Sequence, residues 1–160
     1  MYAMSWASWA LWGFVATLVY TSILSAIQGL GLTRMSIPYL LGTMFTPDRD
    51  RAKVFGFLFH LGNGMAFSLL YVAVFESLHA AGWWRGALIG LVQAAFVLTV
   101  VTTILPSVHP RMASEQQGPS TVRQLEPPGF LALHYGARTP IGVVLAHLVF
   151  GVILGVFYRP

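Results

Sequence analysis

The chain has 160 residues, of which 56% are apolar, 9% are charged and none is cysteine. A soluble domain carries about 25% charged residues, so this composition indicates a protein with much of its surface in lipid. The formal net charge is +4, and the cations are too dispersed along the chain for a nucleic-acid groove. The absence of cysteine excludes disulfides, thiolate metal sites and thiol nucleophiles. We therefore expect an integral membrane protein that contacts a lipid bilayer and no nucleic acid.

Four windows without charged residues predict four transmembrane helices. Each window holds 20 residues or more, and the four windows are 1–33, 54–75, 86–110 and 139–158. About 20 apolar residues cross a hydrocarbon core as a helix, and backbone groups in lipid must be satisfied within the segment. The sequence thus predicts an all-α integral membrane fold over 1–160, a single membrane domain, with helices at 7–30, 52–78, 86–105 and 140–158. Pro106 is expected to end the third helix.

The placement of basic residues predicts the orientation. Two long loops carry most of the cations, namely Arg34, Arg49, Arg51, Lys53, Arg111, Arg123 and Arg138. Only Arg85 and Arg159 fall on the other side of the predicted helices. By the positive-inside rule, both long loops are cytoplasmic and both termini lie outside. The second of these loops, 106–139, contains a polar insertion.

Self-similarity predicts two tandem helix-hairpin repeats. A shift of 87 residues aligns His60 with His147 and Gly64 with Gly151, and a shift of 77 residues aligns Gly13 with Gly90. Repeat 1 covers about 5–78 and repeat 2 about 84–158. Because each repeat contains two helices, both repeats keep the same orientation and are related by a pseudo-twofold axis along the membrane normal. The alternative is a chance likeness between apolar helices.

Small residues predict a close contact between the second and fourth helices. Positions four apart share one helix face, and small residues at that spacing let two backbones approach in a membrane. The predicted helix-packing face consists of Gly56, Gly64, Ser68, Gly151 and Gly155. Packing these faces across the pseudo-twofold axis would bring His60 and His147 to the same depth.

Hydroxyl groups on the first and third helices are expected at the depth of the two histidines. The predicted polar layer consists of His60, His147, Ser22, Ser25, Thr99 and Thr102. A buried imidazole needs hydrogen-bond partners, and hydroxyls on adjacent helices can supply them. A structural interpretation of the layer is therefore a hydrogen-bonded network that fixes how the two halves pack.

Three functional interpretations of the histidine pair stay open. Two histidines can hold a b-type haem, although a haem would force apart helices that the glycines bring together. His60 and His147 could also bind a Zn, Cu or Ni ion, but two nitrogens do not complete a tetrahedral site. The third interpretation is transport of a proton or a small solute, because ionisable residues inside membranes are functional candidates by default. We predict no cofactor, and we expect bound lipid.

Other chemical motifs are weak. Glu76 and His79 are spaced to pair on one helix face at the outer end of the second helix. The sequence has no Gly-rich phosphate loop, no Ser–His–Asp order and no paired carboxylates. No catalytic residues are therefore predicted.

A resemblance to one family rests on a few short segments. The stretch from His60 through Phe67 to Glu76, the run Trp84-Arg85-Gly86, and His147-Leu148 resemble YagU-type bacterial inner-membrane proteins. The resemblance covers about half of the chain and implies a location in the bacterial inner membrane. It supplies no catalytic residues.

The leading functional prediction is a non-enzymatic accessory or scaffold subunit of a larger or homo-oligomeric membrane complex. It follows from the missing catalytic residues, the absence of a charged pathway and the abundant helix-packing faces. The alternative is a small transporter or channel subunit, for a proton or a small solute, that uses the layer of His60 and His147. A further alternative is a subunit that binds b-type haem or a metal ion.

Overall fold

The described part of the chain folds into helices joined by two long loops. A computed structural model describes residues 4–114 and 116–159. Four helices in this part are long and apolar enough to cross a membrane: Trp6–Gly29, Arg49–Ser77, Trp83–Val108 and Thr139–Phe157. Their ends lie within three residues of the predicted ends. The prediction of four apolar helices long enough to span a bilayer is confirmed.

Shorter elements complete the architecture. The first span is α1 (Trp6–Gly29), the short helix α2 (Ile37–Gly42) follows in the first loop, and the second span is α3 (Arg49–Ser77). The third span consists of α4 (Trp83–Phe96), a π-helical turn (Val97–Val101) and α5 (Thr102–Val108). A 3₁₀ helix (Phe130–Tyr135) precedes the fourth span, α6 (Thr139–Phe157).

Local sequence explains where α3 begins and where the third span ends. The side chain of Asp48 accepts a hydrogen bond from the backbone N–H of Arg51 at 2.8 Å, which caps α3. The prediction that Pro106 ends the third helix is wrong, because the helix continues to Val108. A proline in a helix removes one backbone hydrogen-bond donor. The free-energy cost is limited here because the helix ends within the same turn.

The four spans are arranged in the order α3, α1, α6, α4. Helix α6 packs on both α4 and α1, whereas α3 packs on α1 and α2 and touches α6 over only a short stretch. The expected seam between the second and fourth spans is therefore not the main contact of either helix. A hydrogen bond from the Tyr71 hydroxyl to Oε1 of Gln93, at 2.6 Å, links the outer members α3 and α4.

Glycines bring α4 and α6 into backbone contact. A Cβ atom added at Gly151 would overlap the carbonyl oxygen of Gly86, and one added at Gly155 would overlap that of Gly82. Gly90 lies in the same way against the carbonyl oxygen of His147. Gly151 and Gly155 thus belong to a close contact, as predicted, but their partner is the third span. The glycines of the third span that form this contact, spaced four residues apart, were not predicted from the sequence as a packing face.

The small residues of α3 face α1 and α2. Gly64 lies against Thr17, and Ser68 lies against Gly13, so both contacts are with α1. Gly56 lies against the carbonyl oxygen of Pro38 in α2. The predicted face of α3 is therefore a contact face, but its partners are α1 and α2 and not the fourth span. The short helix α2 fills the space beside Gly56.

The two hairpins differ in register. Gly13 lies opposite Ser68 in the first hairpin, so the predicted repeat would place Gly90 opposite Gly155 in the second. Gly90 lies instead opposite His147, two helical turns away. These contacts do not reproduce the predicted pseudo-twofold symmetry, and the duplication stays a prediction from the sequence.

The ends of α3 and α6 that lie away from the long loops are joined by a buried tyrosine. The hydroxyl of Tyr158 donates a hydrogen bond to Oε1 of Glu76 at 2.5 Å, and Tyr158 is 1% exposed. Burial and the neighbouring carboxylate raise the pKa of Tyr158 to about 12. The expected pairing of Glu76 with His79 is therefore replaced by a contact between two spans, since His79 lies just beyond the end of α3 with a positive φ of 49°.

The two long loops pack on each other at the opposite end of the bundle. The backbone N–H of Arg34 donates to the carbonyl oxygen of Tyr135 at 2.8 Å, and the hydroxyls of Thr33 and Thr139 are 2.7 Å apart. Nη1 of Arg111 donates to the carbonyl oxygen of Thr43 at 2.5 Å. These bonds fasten α2 and the second loop together across the ends of the spans.

His109 is the buried centre of this loop packing. It is 3% exposed, its Nδ1 accepts from the backbone N–H of Arg111 at 3.1 Å, and its Nε2 donates to the carbonyl oxygen of Leu40 at 3.0 Å. The bond from Arg111 requires the neutral imidazole, because a protonated Nδ1 cannot accept a hydrogen bond. Burial and the nearby Arg111 guanidinium hold the pKa of His109 below its usual value, against the opposing effect of the bond to Leu40.

We expect acid to loosen the loop packing through His109. Because the folded protein holds the pKa of His109 below the value of about 6.5 in an unfolded chain, its contribution to stability is complete above that pH. The contribution is lost progressively as the pH falls from about 6.5 toward the lower pKa of the folded protein, because over this range the unfolded chain binds the proton more readily. The thermal unfolding midpoint in detergent, measured between pH 8 and pH 5, should therefore fall with acidification.

The variant His109→Gln provides the control. Its side-chain amide does not titrate in this range, so its unfolding midpoint should depend less on pH than that of the wild type. Equal pH dependence in the two proteins would show that His109 is not responsible.

Candidate functional site

A cavity of about 170 Å³ lies between α3 and the third span. Side chains of α1 and α6 form its floor, and Leu40 of α2 reaches it from the loop end. Most of its wall is apolar, with Phe67, Val97 and Phe150 among the contributing side chains. Its polar lining residues are Thr17, Tyr20, His60, Asn63, Gln93 and His147.

Tyr20 brings the two predicted histidines together. The centroid of its ring lies 5.3 Å from that of His60 and 4.8 Å from that of His147, with the His147 ring edge-on. Its hydroxyl oxygen is 3.5 Å from Nδ1 of His147. His60 and His147 thus line one cavity, and both rings contact Tyr20, a residue that was not predicted from the sequence. A tyrosine in the middle of an apolar window, away from the membrane interface where tyrosine is enriched, is the signal that could have found it.

His147 is held by its own helix. It is 3% exposed, and its Nδ1 donates to the carbonyl oxygen of Val143 at 2.8 Å. This bond places the ring proton on Nδ1 and leaves Nε2 as a hydrogen-bond acceptor. The orientation of the ring is therefore fixed by one turn of α6.

His60 differs because one of its ring nitrogens lacks a partner. Its Nε2 atom is buried and makes no hydrogen bond to any described residue. A buried polar atom without a partner costs about 1–3 kcal/mol. His60 is also one of the residues that line the cavity.

The hydroxyls of the predicted polar layer do not join the histidines. Ser22, Thr99 and Thr102 donate instead to carbonyl oxygens one turn back in their own helices, at 2.6–2.8 Å. Ser22, Ser25 and Thr99 are exposed on the outer surface of the bundle, and only Thr102 is buried. The prediction of a histidine–hydroxyl network is wrong, because a helical serine or threonine satisfies its hydroxyl most directly within its own helix. The buried hydroxyl that does reach the layer is that of Tyr20.

The π-helical turn forms part of the cavity wall. Val97 and Val101, the first and last residues of the turn, both line the cavity. A π turn adds one residue to a helical turn and is rare because it weakens local packing, and such turns occur frequently at functional sites. The turn therefore supports a functional role for this cavity.

The arrangement does not fit a haem held by the two histidines. The ring of Tyr20 packs against both imidazoles, with centroid distances of 5.3 and 4.8 Å, so a porphyrin held by them would have to displace this ring. In the described ranges 4–114 and 116–159 there is no cluster of three or more His, Cys, Asp or Glu side chains able to hold a metal ion. The chemistry that the residues offer is hydrogen bonding from nitrogen and oxygen atoms at the edge of an apolar space.

Comparisons with known protein families, with curated proteins and with solved structures find no match to this chain. The likeness to YagU-type inner-membrane proteins stays a prediction from the few residues that carry it. The cavity and its lining are therefore the basis for inferring function.

Proposed function

We propose that this protein is a non-enzymatic, multi-pass membrane protein that binds a small, largely apolar solute in the cavity beside His60. The buried Nε2 of His60 carries the proposal, because this atom has no hydrogen-bond partner among the described residues. A solute with one hydroxyl or carbonyl group would hydrogen-bond to this nitrogen and place its apolar part against Phe67 and Phe150.

The size of the cavity limits the solute. Its volume of about 170 Å³ is close to that of an engineered apolar cavity of about 150 Å³ that binds benzene. The solute class is therefore a small ring or a short chain with a single polar group, of the size of phenol.

The arrangement of the spans supports transport of such a solute as the role of the site. The cavity is lined by four transmembrane spans, and transporters commonly bind their substrates near the middle of the membrane. The outer members α3 and α4 are linked by the bond between Tyr71 and Gln93, whereas each packs mainly on another helix. Breaking this hydrogen bond would therefore weaken the contact between α3 and α4.

The proposal includes the location and orientation expected from the sequence. The location in a bacterial inner membrane is what the resemblance to YagU-type proteins implies. The orientation, with both termini outside and the long loops in the cytoplasm, is expected because the loops hold most of the basic residues. The accessory-subunit role stays a second prediction. The exposed apolar side chains along α3, such as Phe55 and Leu58, would suit a protein partner as well as they suit lipid.

Filling the cavity should abolish binding of a phenol-sized probe. In Val97→Phe a ring enters the cavity, and we expect the affinity for phenol to fall more than about tenfold, a loss of about 1.4 kcal/mol. Equilibrium binding of labelled phenol to protein in nanodiscs, with the signal of empty nanodiscs subtracted, measures the effect.

The control lies in the same π turn. Val100 is exposed and does not line the cavity, so Val100→Phe should bind phenol as the wild type does.

In His60→Leu the affinity for phenol should fall about fivefold while that for benzene is kept, because only phenol hydrogen-bonds to the ring nitrogen. Saturable phenol binding that survives Val97→Phe would refute the proposed site.

A further inference from the structure

A second cavity, of about 570 Å³, lies at the loop end of α1 and α3. We call it the basic groove, and three cationic side chains line it: Arg34, Arg49 and Lys53. Arg34 follows α1 in the chain, and the other two lie in the first turns of α3. The groove also contains the hydroxyls of Ser25, Ser36 and Tyr39, which are further groups able to hydrogen-bond to an anion.

The cations of the basic groove remain available to an anion. Lys53 pairs with Asp50 at 3.3 Å and Arg34 pairs with Glu126 at 3.1 Å, but both pairs are exposed. Exposed ion pairs contribute little free energy, so an anionic ligand can compete with them. The Arg49 guanidinium lies over the Tyr39 ring, 6.0 Å from its centre, and makes no ion pair with a described residue.

The basic groove has an apolar side as well. Phe57 lies one helical turn beyond Lys53 and two turns beyond Arg49 on α3, and it lines the same groove. With a rise of about 1.5 Å per residue, this places Phe57 about 12 Å deeper along the helix than Arg49. Pro38 of α2 adds a second apolar side chain. The groove therefore runs from a cationic end at the loops to an aromatic side chain on a transmembrane helix.

We propose that the basic groove binds the headgroup of an anionic phospholipid. The phosphate lies between Arg49 and Lys53, and an acyl chain follows α3 past Phe57. Basic pockets between transmembrane helices are suited to anionic headgroups because the cations sit at the height of the lipid phosphates. A free phosphate ion would use the cations but not Phe57, so the combination favours a lipid. This site is separate from the His60 cavity and does not depend on the function proposed for it.

A paired set of variants tests the lipid site. Arg49→Gln with Lys53→Gln removes two cations from the groove, whereas Arg51→Gln with Arg123→Gln removes two cations that do not line it. Arg49, Lys53 and Arg51 are exposed and Arg123 is half-buried in a loop, so both double variants should fold. Lipid adducts are counted by native mass spectrometry after incubation with phosphatidylglycerol or phosphatidylcholine.

We expect the wild type to retain phosphatidylglycerol over phosphatidylcholine, and the groove variant to lose retention roughly 10- to 30-fold. The control variant should retain phosphatidylglycerol as the wild type does. Equal losses in the two double variants would show that the attraction is a diffuse effect of net charge, and the proposal would be wrong. It would also be wrong if inorganic phosphate at millimolar concentration displaced the lipid completely, because the groove would then be a phosphate site.

Discussion

Replacing Gly151 with alanine is expected to lower the free energy of unfolding by at least about 2 kcal/mol. The added methyl group would overlap the carbonyl oxygen of Gly86, an atom of a rigid helix backbone. Relief requires α4 and α6 to separate along their whole contact, because Gly155 and Gly90 fix the same spacing on either side. Overpacking a close contact typically costs about 1–3 kcal/mol, and a backbone obstacle lies at the upper end of that range.

Gly62→Ala is the matched control for this prediction. Gly62 lies within α3, is exposed, and has no atom within 4 Å of the position of an added Cβ. Alanine is favoured over glycine in a helix interior by up to about 1 kcal/mol, so this variant should be neutral or more stable. Unfolding by denaturant in detergent micelles, followed by circular dichroism, compares the two variants. Equal stability of Gly151→Ala and the wild type would contradict the backbone contact between α4 and α6.

Removing the hydroxyl of Tyr158 is expected to cost about 1.5–3 kcal/mol. In Tyr158→Phe the ring keeps its packing beside Phe75, but Oε1 of Glu76 loses its hydrogen-bond donor. Hydrogen bonds to carboxylates are stronger than those between neutral groups, and this one is shielded by a ring that is 1% exposed. The loss should appear as a lower unfolding midpoint and as earlier exchange of backbone amides at the ends of α3 and α6 that lie away from the long loops.

A double-mutant cycle separates this bond from other effects of the substitutions. Tyr158→Phe and Glu76→Leu are measured singly and together, and the interaction energy between them should be about 1–2 kcal/mol. Additive effects would mean that the two side chains do not stabilise each other. The variant Glu76→Gln should fall between the wild type and Glu76→Leu, because an amide oxygen still accepts from the Tyr158 hydroxyl.

The spans could be predicted because they depend on local composition. Charged residues such as Arg34 and Arg85 mark the ends of uncharged windows, and a bilayer requires each such window to be a helix of about 20 residues. The order of the spans could not be predicted in this way. Gly151 and Gly155 identify a contact face, but a small residue does not specify its partner, and the matching glycines on the third span determine the pairing.

The site was only partly predictable for a related reason. His60 and His147 could be selected because ionisable side chains are rare in lipid, and the structure places both on one cavity. Hydroxyls such as Ser22 carry less information, since a helix can satisfy them internally. The roles of Tyr20 and the π turn in the cavity depend on which helices pack together. The pattern of residues within one helix does not reveal its neighbours.

The π turn divides the third span into two mechanically distinct halves. Before the turn, the glycine stripe of α4 locks the backbone to α6, whereas after the turn α5 packs on the 3₁₀ helix of the second loop. The extra residue in the turn also weakens the helical hydrogen-bond ladder at the boundary between the halves. A force applied to the loop end would therefore bend the span at Val97–Val101. Such a hinge would let the cavity change shape while the anchored half holds the bundle together.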